Sequence, residues 1–169
     1  DVARSHFDRY SFDLIYARPG QTPERWEREL KRAIGEAAEH LSLYQLTIEE
    51  NTAFHHAYHQ QHAFVLPDEP VAVALFERTQ KVMRAAGLPA YEISNHAAPG
   101  QESRHNLAYW RGDSYLGIGP GAHGRVGDLA TRTLKSPERW LESVARHGHG
   151  LEETTTLTTE ERMEEKVLM

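Results

Sequence analysis

No cysteine occurs among the 169 residues. Disulfides are therefore excluded, and so is any thiolate-held metal or iron–sulfur cluster on residues of this chain. Long apolar runs are also missing, and none approaches the roughly 20 residues that a membrane-spanning helix needs. No signal-peptide pattern opens the sequence. A P-loop, a nucleophile elbow and the H-E-x-x-H zinc motif are all lacking. Positive charge is not in excess: the formal net charge is -6, so a nucleic-acid footprint is not expected. Charges of both signs interleave along the chain, as on a solvated surface. The first residues are Asp1-Val2-Ala3-Arg4, without an initiator Met, and the last run to Met169 inside a helical pattern. Helices end on signals such as Gly or Pro, and none is there. Both termini are read as interior points of a longer sequence, with the sheet's missing strands expected upstream.

What is present is a globular chain of ordinary composition, long enough for one real core. Ser11 to Ala17 is an apolar, β-leaning run that predicts a strand. Thr22-Pro23 predicts a helix start, followed by Trp26, Leu30, Ala33 and Ala37 on one face. Leu41 to Thr47 predicts a second strand, parallel to the first through a right-handed crossover. Pro67 to Pro70 opens another helix, closed by Gly87, and Ala90 to Ser94 predicts a third strand. That order implies an α/β fold with a parallel sheet. Too few strands are present to close a barrel, which leaves the first strand as an open edge. Further on, Tyr115 to Ile118 reads as a short strand and Arg125 to Thr133 as a polar hairpin or loop. Ser136-Pro137 caps a helix with Trp140, Leu141 and Val144 inward, and Gly148 to Thr159 reads as a linker. Thr158 and Glu161 form a capping box for the last helix.

Four groups of residues carry candidate chemistry. Asp13 sits within an apolar strand, where an unpaired carboxylate is costly. It either lies on the solvated side, or bonded to a loop, or accepts from a polar ligand inside a barrel. His105-Asn106-Leu107-Ala108-Tyr109-Trp110 sets an imidazole four residues from Tyr109 and beside Trp110. Such a set either packs as an aromatic turn or suits a flat macrocycle, with His as an iron ligand. Gly119 to Gly124 match G-x-G-x-x-G, but no helix follows, so a dinucleotide site is rejected. A tight turn or close approach of a bulky cofactor explains those glycines. His55, His56, His59 and His62 include an i, i+4 pair without a third ligand, and a solvated segment is expected.

Asp13-Leu14-Ile15-Tyr16 before Pro19-Gly20-Gln21-Thr22, Leu41 to Glu49, Tyr91 to Asn95, His105 to Trp110 and Tyr115 to Gly124 together resemble one family. It is the HemW family of radical-SAM heme chaperones, relatives of oxygen-independent coproporphyrinogen III oxidase. The resemblance implies part of a radical-SAM partial (β/α) barrel with parallel strands over residues 1–147. Residues 148–169 would be a linker and the start of a C-terminal helical domain. It implies S-adenosylmethionine, a [4Fe–4S] cluster whose cysteines lie outside this chain, and heme. Asp13, Ile15 and Thr47 inherit contacts with S-adenosylmethionine. His105, Asn106, Tyr109 and Trp110 inherit the heme site, and no residue is implied as catalytic. Implied partners are heme, a recipient hemoprotein and a second copy in a homodimer, in the cytoplasm. Nucleic acid and a membrane span are not implied. The alternative is the oxidase, which decarboxylates porphyrinogen propionates by radical chemistry; a third reading is a piece with no stable fold of its own. One departure from the family is Ala17-Arg18 in place of Gly-Leu; Arg18 either meets a cofactor carboxylate or points to solvent.

Overall fold

A computed structural model describes residues 2–59 and 64–168. The chain divides into two compact units, Asp1–Glu102 and Ser103–Met169.

The first unit contains α1 (Val2–His6), β1 (Asp13–Tyr16), α2 (Pro23–Glu36), β2 (His40–Gln45), α3 (Ala53–His59), α4 (Glu69–Ala85) and β3 (Asn95–Ala97). α2 starts where the sequence predicts: the Thr22 hydroxyl accepts from the Arg25 amide at 3.3 Å, and Pro23 takes the first turn. α4 is opened by Asp68, whose carboxylate accepts from the Val71 amide at 3.1 Å. It closes on Gly87 at φ +77, with the Leu88 amide donating to Met83 O at 3.0 Å. Only a residue without Cβ takes that left-handed turn freely.

β1 and β2 pair in parallel, Leu14 beside Leu43. Trp26, Leu30, Leu41, Leu75 and Met83 are fully buried between this sheet and the two long helices. Tyr16 stacks on Trp26 at 5.5 Å. Glu27 on α2 is held between Lys31 and Arg78 of α4, and its carboxyl is pulled down to about 2 chiefly by the Lys31 bond.

The third strand differs from the expectation. It is Asn95–Ala97 rather than Ala90 to Ser94, and it runs antiparallel to β2. The reason is a chain reversal at Tyr91 to Ser94. The Glu92 carboxylate accepts from the Ser94 amide at 3.0 Å, Tyr91 N donates to Asn95 O, and Ala90 bridges His96. The sheet is therefore mixed, in the order β1-β2-β3, with β1 at one margin.

The second unit contains α5 (Arg104–Arg111), β4 (His123–Val126), β5 (Leu129–Thr133), α6 (Pro137–His147), β6 (Leu151–Thr156) and α7 (Thr159–Leu168). β4, β5 and β6 form an antiparallel sheet in that order, with α6 between β5 and β6 in the chain. The segment read as a linker carries β6, because the β-branched run Thr154 to Thr156 continues Leu151 to Glu153 in pairing with β5, from Leu129↔Thr156 to Thr133↔Leu151. The strand expected at Tyr115 to Ile118 reduces to one bridge, Tyr115 with Arg125. Leu141, expected inward, is 61% exposed; α6 turns Trp140 and Val144 toward the unit instead. The capping box at Thr158 and Glu161 forms in both directions, at 3.2 and 2.8 Å. Among the described residues, no helix is long and apolar enough to cross a membrane.

Candidate functional site

In the first unit the strand period sorts side chains onto two faces. Leu14 and Tyr16 turn toward the helices, whereas Asp13 is exposed and Ile15 is 47% exposed on the other face. Pairing register extends this face across the sheet. Asp13 lies beside Ser42, and Ser42 lies beside Asn95, giving one polar row over three strands. Ile15 lies beside Tyr44, itself 41% exposed, giving an adjoining apolar row. Ser42 and Asn95 are each only 5% exposed, and the Asn95 side-chain oxygen has no hydrogen-bond partner among the described residues.

His40 precedes this row on β2. Its Nδ1 pairs with the Ser11 hydroxyl at 2.7 Å and its Nε2 with the Tyr91 hydroxyl at 2.8 Å. Burial, then the Arg9 charge, holds the His40 imidazole below its ordinary pKa. Thr47 lies past the end of β2, exposed, with its hydroxyl donating to Glu49 at 3.1 Å. Arg18 forms an exposed ion pair with Glu29 of α2. Ala17 stands at φ 59, left-handed, where the resembling family carries Gly.

In the second unit, α5 gathers the other candidate residues. Ser103 caps it, accepting from the Asn106 amide at 3.4 Å. The i, i+4 spacing brings His105 and Tyr109 edge to face at 4.9 Å, and Tyr109 meets Tyr115 at 4.4 Å. Three rings thus follow one another from an exposed imidazole to a partly buried phenol. Burial raises the Tyr115 pKa. Trp110 is 40% exposed. Leu116 and Ile118, after Tyr115, are 76% and 87% exposed.

The glycines that follow serve a turn. A Cβ on Gly117 would strike the His123 backbone, and one on Gly124 would stand 2.6 Å from Thr131 Oγ1. A hairpin, β4 and β5, comes next, so no helix N-terminus faces a pyrophosphate there. His55 and His59 pack ring to ring at 4.4 Å on α3, and His62 lies outside the described residues. Among the described residues, no group of three or more His, Asp or Glu side chains is arranged to hold a metal.

His105 and Tyr109, expected one turn apart on one helix face, touch, whereas the shared face of Asp13 and Ile15 emerges only from the strand itself. Sequence reasoning missed Ser42 and Asn95. The alternation of Ser42 between Leu41 and Leu43 was a legible sign for the first, but only the antiparallel register reveals the second. Tyr115 was missed as an aromatic partner of Tyr109.

No protein-family model matches the chain. Curated relatives do. Heme chaperone HemW of Bacillus subtilis is 36% identical over 96% of this chain and 43% of its own length. Radical S-adenosyl methionine domain-containing protein 1, mitochondrial, of Mus musculus is 38% identical over 95% of this chain and 38% of its own. Heme chaperone HemW of Escherichia coli is 43% identical over 69% of this chain and 30% of its own. The chain thus spans about two fifths of the length of the first two relatives. The solved coproporphyrinogen III oxidase (HemN) of Escherichia coli, a radical SAM enzyme, matches in structure with a TM-score of 0.72. That match covers 94% of this chain and 39% of the other, at 21% identity. It bears out the radical-SAM α/β fold, with the third strand reversed from the all-parallel expectation.

Proposed function

This chain belongs to the HemW family of radical-SAM proteins, and from that premise we propose that it serves a heme-binding chaperone that passes heme to a recipient hemoprotein. The observation that carries the reading is the exposed His105 imidazole on α5, with the Tyr109 ring against it and Trp110 next in sequence. Among protein donors, imidazole is a common axial ligand of heme iron, and aromatic rings stack on a flat macrocycle. His105 would hold the iron, Tyr109 and Trp110 would lie against the porphyrin, and Asn106 would offer its amide to a polar edge. The donor set fits heme.

The open face of β1 fits S-adenosylmethionine. Asp13 presents a carboxylate that would accept from ribose hydroxyls, and Ile15 offers apolar contact one row away. Thr47, beyond the end of β2, is proposed for the adenine side. When bound to a reduced cluster, this cofactor supplies a carbon radical; here it is proposed to support folding, dimerisation or transfer. The chain's own residues do not fit the [4Fe–4S] cluster, since no cysteine is present. The cluster is therefore assigned to residues outside this chain, and no step is derived through it.

The test is a heme titration of the full-length protein with His105→Ala. Loss of affinity of tenfold or more is expected, and unchanged binding would remove the heme-site assignment. The HemN fold favours a second reading, oxidative decarboxylation of coproporphyrinogen III. Porphyrinogen turnover by reconstituted full-length protein would establish it in place of the chaperone. The cytoplasm is the proposed compartment, and the mitochondrial name of the mouse relative makes organelle fractionation the check.

A further inference from the structure

We propose that Asn95 is a cofactor-binding residue, its side-chain oxygen accepting a hydrogen bond from the same nucleoside-bearing ligand that Asp13 holds. The inference rests on the reading of Asp13 given above. Three observations lead to it. Asn95 stands in one row with Ser42 and Asp13, set by the two registers of β2. Neighbouring strands lie about 4.8 Å apart, so the row's ends are roughly 10 Å from each other, within the span of a nucleoside with a short tail. The Asn95 oxygen is buried, yet nothing among the described residues donates to it. A buried acceptor without a donor costs stability, and such groups call for an explanation. A donor on a bound ligand, a hydroxyl or an amino group, supplies what the fold leaves out.

The surroundings favour a ligand over a missing fold contact. His40, the next residue on this face, already has both ring nitrogens engaged, by Ser11 and Tyr91. Its imidazole therefore has no hydrogen left to give to Asn95. On the other side of the row, the Ile15 side chain and the Tyr44 ring are apolar and partly exposed, so the face is open there. Asp13, being a carboxylate when ionised, offers acceptors only. The row thus joins an exposed carboxylate and a buried amide oxygen that lacks a donor among the described residues, two acceptors on one face.

The experiment uses full-length protein with its cluster reconstituted. The dissociation constant for S-adenosylmethionine is measured by equilibrium dialysis for wild type, Asp13→Asn and Asn95→Ala, with thermal melts in the absence of ligand. Asn95→Ala is expected to weaken binding about tenfold while leaving the ligand-free melt unchanged or higher, because an unmet acceptor has been removed. Asn95→Ser, too short to reach, should behave in the same way and stands in if the alanine chain does not fold. Weakened binding in Asp13→Asn with wild-type affinity in Asn95→Ala overturns this inference alone. Wild-type affinity in Asp13→Asn overturns the reading on which it rests. A lower ligand-free melt with unchanged affinity shows the oxygen already used within the fold, and also overturns it.

Discussion

The Trp26 indole N–H donates to the Thr79 hydroxyl at 2.7 Å across the buried contact between α2 and α4. The Thr79 hydroxyl in turn donates to Leu75 O at 2.8 Å, so one hydroxyl serves groups of both helices. Trp26 is 0% and Thr79 1% exposed. Thr79→Val keeps the shape and strands the indole N–H. A loss of about 1–3 kcal/mol in unfolding free energy is expected. Urea unfolding checks it, and an unchanged midpoint would mean that the indole finds another acceptor.

Ala17 carries a left-handed backbone, φ 59, at the end of β1. For a residue with Cβ that conformation costs roughly 1–2 kcal/mol. Glycine would remove this cost and add about 0.4–1 kcal/mol of unfolded-chain entropy. Ala17→Gly should therefore raise the urea midpoint, by up to about 1 kcal/mol of stability. A lower midpoint would show that burial of the Ala17 methyl outweighs the backbone strain.

Two buried imidazoles, His40 and His96, are both held below their ordinary pKa, first of all by burial. The unfolded chain then binds more protons than the folded one as pH falls through the usual histidine value near 6.5. Stability is full above that value and declines below it. The urea midpoint should fall between pH 7.5 and pH 5.5, and the fall should be shallower in His40→Asn. Equal slopes in the two chains would contradict the assignment to His40.

Gly150 is buried, and a Cβ built there meets the Trp140 ring. Gly150→Ala should displace the indole from its place against residue 150. A cost of about 1–3 kcal/mol is expected for such overpacking. Tryptophan fluorescence should shift to the red in the variant if the ring is expelled, and an unshifted spectrum at full stability would refute the contact.

Helix starts were legible because capping is local chemistry. Thr22, Ser136 and the Thr158–Glu161 box each act within one turn of their own residue. The α5 pair of His105 and Tyr109 was legible for the same reason, as two residues one turn apart. The reversal at Tyr91 to Ser94 was not, since its alternation of side chains is that of a strand. Its outcome depends on Asn95–Ala97 finding β2, a contact far along the chain. The same holds for β6, whose Glu and Thr residues read as a linker until β5 is beside them. The polar row of Asp13, Ser42 and Asn95 was half legible: period two reveals Ser42, but strand order decides what stands next to it.

The position of β1 at the margin of its sheet bears on how the chain behaves in a tube. Among the described residues no strand lies beyond its outer edge, and a second molecule can pair there. Solutions of this stretch made alone should grow turbid with concentration, as chains add edge to edge in the manner of a polymerisation.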